Sequence, residues 1–311
     1  MTVSVTAAIA PRAQAVVAYR FCRPDDIPLL VRAVNDCYQI HAPGAPEMTV
    51  EGFRRAMRDV DLWPSNCMVA MDDSGTRPLA VLLGTKRPAE VAVMAVGVHP
   101  DHLRNGHAKH LVTSLSQKLA VLGPERLVAD VPADDPAALA LFAALGWQRE
   151  HELVDRLRRE PTGSGQPIPE DLVIPVTVAE LESAGALAVS PRAPLERSVE
   201  TIRSRAERTI GAAVVTPDRV EAFVVAEPVR TADGSLRPAD QPLEVLAAGC
   251  VAPERASFLL GLLFRWLSHS AERPLRIAKA APGEFDPEVL ASAGFEAGRR
   301  WVRFAGKARP L

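Results

Sequence analysis

Residues 93–111, VMAVGVHPDHLRNGHAKHL, concentrate the residue types that could do chemistry. The apolar run ending at Val98 reads as a strand. Pro100, Asn105 and Gly106 read as a loop, and a helix follows from Gly106. A strand–loop–helix unit aims successive backbone N–H groups and the positive end of a helix at one point, a site for a phosphate-type anion. Gly106 lets a ligand approach the backbone closely, Ala108 leaves the first turn uncluttered, and Arg104 and Lys109 add positive charge. The run is neither G-x-x-x-x-G-K-[ST] nor G-x-G-x-x-G, which argues against nucleoside triphosphates and dinucleotides. The expectation is a pyrophosphate cradle.

The same run holds His99, His102, His107 and His110 at spacings of 3, 5 and 3, loosely like a zinc pattern. No cysteine joins them and Asp101 is the one carboxylate among them, so the expectation is no metal. His107 is expected to contribute its backbone N–H. Groups that could move a proton nearby are Glu90 at the head of the strand, His99 just past its end, and Tyr38 with His41 at the end of an earlier helix. Each also has a plain reading: a solvated side chain or, for Tyr38, a ring facing the core. Tyrosine occurs twice, at Tyr19 and Tyr38, so a hydroxyl acid is scarce in this chain.

The elements around the run alternate. Val16–Cys22 reads as a strand, Asp25–Ile40 as a helix, and Thr49–Val60 as a second helix capped by Thr49. Cys67–Met71, Leu79–Thr85 and Val91–Val98 read as strands. A helix Gly106–Leu122, a strand Leu127–Val131, a helix Pro136–Leu145 stopped by Gly146, and a strand Leu153–Arg158 complete the order. This is a mixed α/β sheet with helices on its faces.

At Val98, Pro100, Leu103, Arg104, Asn105, Gly106 and Ala108 the sequence resembles the GNAT superfamily of acyl-CoA-dependent N-acyltransferases, whose motif is V-x-P-x-x-[QR]-x-x-G-x-[GA]. Leu103 stands where Gln or Arg is usual. Asp135, Ala138, Leu141, Phe142, Gly146 and Trp147 resemble that family's N-x-x-A-x-x-L-Y-x-x-x-G-F, with Asp135 for Asn and Phe142 for Tyr. The resemblance implies acetyl-CoA as co-substrate and an amine as acceptor, attacked directly. It implies that the amides of Arg104, Asn105, Gly106, His107, Ala108 and Lys109 hold the pyrophosphate. It also implies that the pantetheine arm lies along Val96, Gly97 and Val98, near Asp135 and Phe142, with a backbone N–H near Val96 holding the thioester carbonyl. The family's tyrosine acid is Phe142 here. A thiol pKa near about 8.5 lets the thiolate leave tolerably without that acid.

The later half reads more faintly in the same order: a helix Leu195–Ile210, strands Val220–Ala226 and Glu244–Gly249, a helix Arg255–His269, a strand Leu275–Ala278, a helix Pro287–Ala293, and a strand Arg300–Phe304. Pro100 and Gly146 lie 46 residues apart, and Pro253 and Gly294, in matching places, lie 41 apart. An internal duplication with about five residues lost after that proline accounts for this. The second copy has Pro253-Glu254-Arg255-Ala256-Ser257 where the cradle would be: no glycine, and an acid that repels an anion. The expected organisation is a disordered tail (1–16), a GNAT-like acetyl-CoA-binding domain (17–160), a Pro/Gly/Ser-rich linker (161–171) and a degenerate GNAT-like domain (172–311). Each domain is expected to be a mixed, mostly antiparallel sheet flanked by helices.

Composition sets the outer bounds. The chain has 311 residues with a formal net charge of −2, so no long-range field favours nucleic acid or an anionic membrane. No apolar run reaches the roughly 18 residues of a membrane span. The cysteines Cys22, Cys37, Cys67 and Cys250 form no C-x-x-C pair, which fits a reduced, cytoplasmic setting. The partners expected are acetyl-CoA and an amine, with the chain a monomer or homodimer. A non-catalytic acyl-CoA-binding sensor is the alternative, motivated by Leu103 and Phe142. A structural protein that binds no CoA is the third.

Overall fold

The computed structural model describes residues 17–38, 47–159, 172–228 and 241–309. The expected tail, linker and His41 lie outside the described residues. The N-terminal half contains β1 (Ala18–Phe21), α1 (Ile27–Cys37), α2 (Val50–Asp59), β2 (Met68–Met71), β3 (Pro78–Gly84), β4 (Glu90–Val98), α3 (His107–Leu122), β5 (Arg126–Pro132), α4 (Pro136–Ala144) and β6 (Gln148–Arg158). The C-terminal half repeats that order with β7 (Ile174–Pro175), α5 (Val178–Ser183), α6 (Val199–Ser204), β8 (Ile210–Val215), β9 (Val220–Pro228), β10 (Leu243–Cys250), α7 (Ala256–Ala271), β11 (Leu275–Ala280), α8 (Pro287–Ser292) and β12 (Glu296–Lys307).

Local chemistry explains the element ends. Thr49 caps α2 by accepting the Gly52 N–H at 3.0 Å, as its position predicts. Asp135 caps α4 by accepting the Ala138 N–H, with Pro136 at the first helical position. Gly146 and Gly294 follow α4 and α8 with φ of 72° and 81°, a conformation that glycine adopts without steric cost.

The helix expected over Leu195–Ile210 is not one helix. Ser198 has extended backbone and caps the six-residue α6, and a second break follows at Arg205. Ile210 then opens β8, an IGAAVV strand whose small residues carry little β signal. β7 and α5 are further elements the pattern did not announce.

All twelve strands form one sheet in the order β1-β2-β3-β4-β5-β12-β6-β11-β10-β9-β8-β7. Its middle is an exchange. β12, the last strand of the chain, pairs antiparallel with β5 (Trp301 opposite Pro132 through Lys307 opposite Arg126), while β6 pairs antiparallel with β11. Each half therefore completes the other's sheet. In the N-terminal half α3 and α4 cover one face through Leu111, Leu115, Phe142 and Phe304, and α1 and α2 cover the other through Leu30, Val34 and Phe53. The C-terminal half has the same layers, with α7 and α8 on one side and α5 and α6 on the other.

Candidate functional site

β4 and β5 run parallel and pair only at Glu90–Ala92 with Arg126–Val128. Beyond that point both strands continue, but β4 stays with β3 and β5 with β12, so a gap opens between them. Met94 is an extra residue on β4: Val93 faces Gly84 and Ala95 faces Leu83. Such a bulge bends a strand and redirects a side chain. Gly97 permits a second close approach, because a Cβ there would sit 2.5 Å from the Cys37 carbonyl oxygen and 2.8 Å from the Tyr38 Cα. The end of α1 therefore rests directly on β4 and places Tyr38 at the gap.

The gap is a cleft of about 820 Å³. Its walls are Val93–Val98 on β4 and Ala129–Pro132 on β5, with Ala138, Leu141 and Phe142 of α4 between them. Leu103, Arg104, Gly106, His107, Ala108 and Lys109 close one end. Arg104 and Gly106 both have left-handed backbone, φ 64° and 82°, and Gly106 is the N-cap of α3. The first-turn N–H groups of a helix have no intrahelical acceptor and attract anions. A Cβ on Gly106 would meet nothing within 4 Å, so the space before these amides is open. The cleft is thus an apolar slot that ends at an open helix start.

The expected site residues fall in three places. Tyr38, Val96, Gly97, Val98, Leu103, Arg104, Gly106, His107, Ala108, Lys109, Asp135 and Phe142 all line the cleft, and Asn105 lies within its loop. Phe142 is buried against Trp147 and Phe304, so its ring is also core. Glu90 lies elsewhere. It pairs with Arg126 at 2.9 Å, which also holds Glu150, in a separate groove at the other end of β4. His99 packs against Arg77 and Asp101 and is not a cleft-lining residue.

Among the described residues, no group of three or more His, Cys, Asp or Glu side chains could hold a metal ion. His107 and His110 pack at the helix start. The Tyr19 hydroxyl and His107 Nδ1 share a 2.6 Å hydrogen bond, and the Tyr19 ring lies 3.8 Å from that of His110. Burial, then the neighbouring His102 and His110, lower the His107 pKa, which favours the neutral ring.

Through the gap the cleft meets a second pocket of about 850 Å³ on the sheet, and Tyr38, Met94, Asp130, Pro132 and Asp135 line both. The C-terminal half supplies much of this pocket: Glu196, Arg197, Glu244, Arg276, Lys279 and Trp301. Asp130 receives both a 2.7 Å and a 3.0 Å bond from the buried Arg303 and lies 3.5 Å from Lys279 Nζ. Burial pushes the Asp130 pKa up, but the Arg303 bonds and the two cations outweigh this and hold it below the usual range. Lys279 sits at an irregularity of β11 with φ 51°, a left-handed conformation that costs a non-glycine residue about 1–3 kcal/mol. Arg197 bonds the Ala278 and Lys279 carbonyls there, and Asp155 accepts the Lys279 N–H at 2.8 Å. Sequence reading did not find Asp130, Glu196, Glu244 or Lys279. They are scattered charges that only the strand exchange brings together.

Residues 34–147 match the model of the acetyltransferase (GNAT) family. No curated protein matches the sequence. Among solved structures, a GCN5-related N-acetyltransferase from Sphaerobacter thermophilus superposes with a TM-score of 0.64 at 17% identity, covering 94% of this chain and 96% of that one. A tandem GNAT protein from the clavulanic acid biosynthesis pathway gives 0.63 at 18% identity, covering 96% of this chain and 100% of that one. A glucosamine N-acetyltransferase region of a fungal multi-domain β-N-acetylglucosaminidase gives 0.67 at 14% identity, covering 95% of this chain and 38% of that one. At these identities the likeness is one of fold: two GNAT-like halves in one chain.

Proposed function

Taking residues 34–147 as a domain of the acetyltransferase (GNAT) family, we propose that the chain transfers an acetyl group from acetyl-CoA to an amine by direct attack. The observation that carries this reading is the gap between β4 and β5, where an apolar cleft ending in a helix-start cradle meets a charged pocket. Acetyl-CoA brings an activated acyl thioester. The amides from Arg104 to Lys109 bind its pyrophosphate, and the Val93–Val98 wall holds the pantetheine arm. A β4 N–H near Val96 stabilises the charge that develops on the carbonyl oxygen. Among the described residues, no cleft-lining or pocket-lining residue other than Tyr38 carries a hydroxyl, and Tyr38 stands at the junction. It is the group placed to give the departing sulfur a proton.

Phe142 favours a second reading, a non-catalytic acyl-CoA-binding protein, because a buried ring stands where the family keeps its acid. Release of CoA thiol at saturating acetyl-CoA, measured with a panel of amines, separates the two. The acyltransferase reading predicts amine-dependent release and a product heavier by one acetyl group. Release at the uncatalysed rate despite measurable acetyl-CoA binding would replace it with the second.

A further inference from the structure

In the C-terminal half β10 and β11 also part, after Leu243–Glu244 pair with Leu275–Arg276. α3 begins seven residues after Pro100, but α7 begins three after Pro253, so the stretch that makes the cradle is missing. The residues at this second parting are charged: Glu244, Arg276 and Lys279 line the pocket that meets the cleft.

The acids of that pocket are not equivalent. Asp130 is engaged by Arg303 and Lys279. Glu196 Oε1 accepts from Lys279 Nζ at 2.7 Å, and its Oε2, though without a hydrogen-bond partner, is fully enclosed by protein. Asp135 Oδ1 accepts the Ala138 N–H at the cap of α4, which ties this acid to the acetyl-CoA side of the junction. Glu244 gives Oε1 to Arg276 at 3.0 Å, while Oε2 has no hydrogen-bond partner among the described residues and the side chain is 23% exposed. We propose that Glu244 of the C-terminal half receives the acceptor amine, so that the halves divide the reaction: one holds acetyl-CoA, the other holds and deprotonates a small primary amine.

The proposal rests on the acyltransferase reading above. A volume of about 850 Å³ suits a small molecule. The amine arrives as an ammonium ion, and Glu244 takes one proton, directly or through one water. The nitrogen lone pair then forms the N–C bond as the C–S bond breaks, with its electron pair leaving on sulfur. Tyr38 gives that sulfur a proton and takes the nitrogen's second proton in its place, and Glu244 returns its own to solvent. Burial raises the Glu244 pKa and Asp155 adds to this, against the opposing charges of Arg276 and Arg197, which suits a carboxylate to this exchange. Lys279, bent into place by the β11 irregularity, is a positioning residue: it engages Asp130 and Glu196, and Glu244 is the partly exposed acid that the C-terminal half offers to the pocket.

The test compares wild type, Glu244→Gln and Asp135→Asn, with acetyl-CoA and ethanolamine, putrescine, glycinamide and glucosamine as acceptors, across pH. Glu244→Gln is expected to bind acetyl-CoA with unchanged heat and melt normally. Its kcat is expected to fall about 100-fold or more, a deficit that narrows as pH approaches the amine's own pKa. A Glu244→Gln rate within threefold of wild type, or a larger kcat loss in Asp135→Asn with acetyl-CoA binding unchanged, would overturn the proposal and leave the acyltransferase reading standing. Wild type that acetylates none of these amines while binding acetyl-CoA would overturn both.

Discussion

His107 shows how one side chain serves fold and site together. Its backbone begins α3, and its ring, whose pKa is lowered by burial, shares a hydrogen bond with the Tyr19 hydroxyl. A histidine whose pKa is lowered on folding contributes stability that is present above its unfolded value, near about 6.5, and is lost as pH falls through the folded value. The melting temperature of wild type should therefore decline as pH drops below about 6.5. His151, also lowered by burial and then by Arg303, acts with the same sign. The contribution of His107 is the part of the slope that His107→Gln removes. Identical slopes in the two proteins would show that the ring is not held neutral.

Between elements, the decisive contact is α1 on β4. Gly97 leaves no room for a Cβ, and the atoms it would strike belong to Cys37 and Tyr38. Gly97→Ala should push the end of α1 outward, cost about 1–3 kcal/mol in urea unfolding, and lower kcat by at least as much as Tyr38→Phe. Normal activity in Gly97→Ala would remove Tyr38 from the site. This contact was only half legible: Gly97 appears in the motif run as a residue beside the ligand, but its reason for being glycine lies in a helix some sixty residues earlier. The strand–loop–helix unit itself was legible because it is local. Val98 to Ala108 carries its strand, turn and helix signals within one short stretch, and the order of the N-terminal elements followed from periodicity. The exchange of β6 and β12 was not legible. Both strands pair antiparallel with their neighbours, and nothing in their side chains says which of two similar neighbours each will join.

Across the whole molecule, the exchange turns two similar halves into one unit. Arg303 on the last strand holds Asp130 at the junction, and Glu244 and Lys279 reach the pocket from the other half. The likeness to a solved tandem GNAT protein covers 96% of the chain, yet the loops after β4 and β10 differ. One half keeps the left-handed Gly106 and an open helix start, and the other has Glu254 and no glycine. The central claim is that this asymmetry is functional. Calorimetric titration of acetyl-CoA into wild type and Gly106→Trp, with melting curves to confirm that both are folded, tests it most directly. The account predicts one acetyl-CoA per chain for wild type and no measurable heat for Gly106→Trp. Two per chain, or equal heats for both proteins, would contradict it.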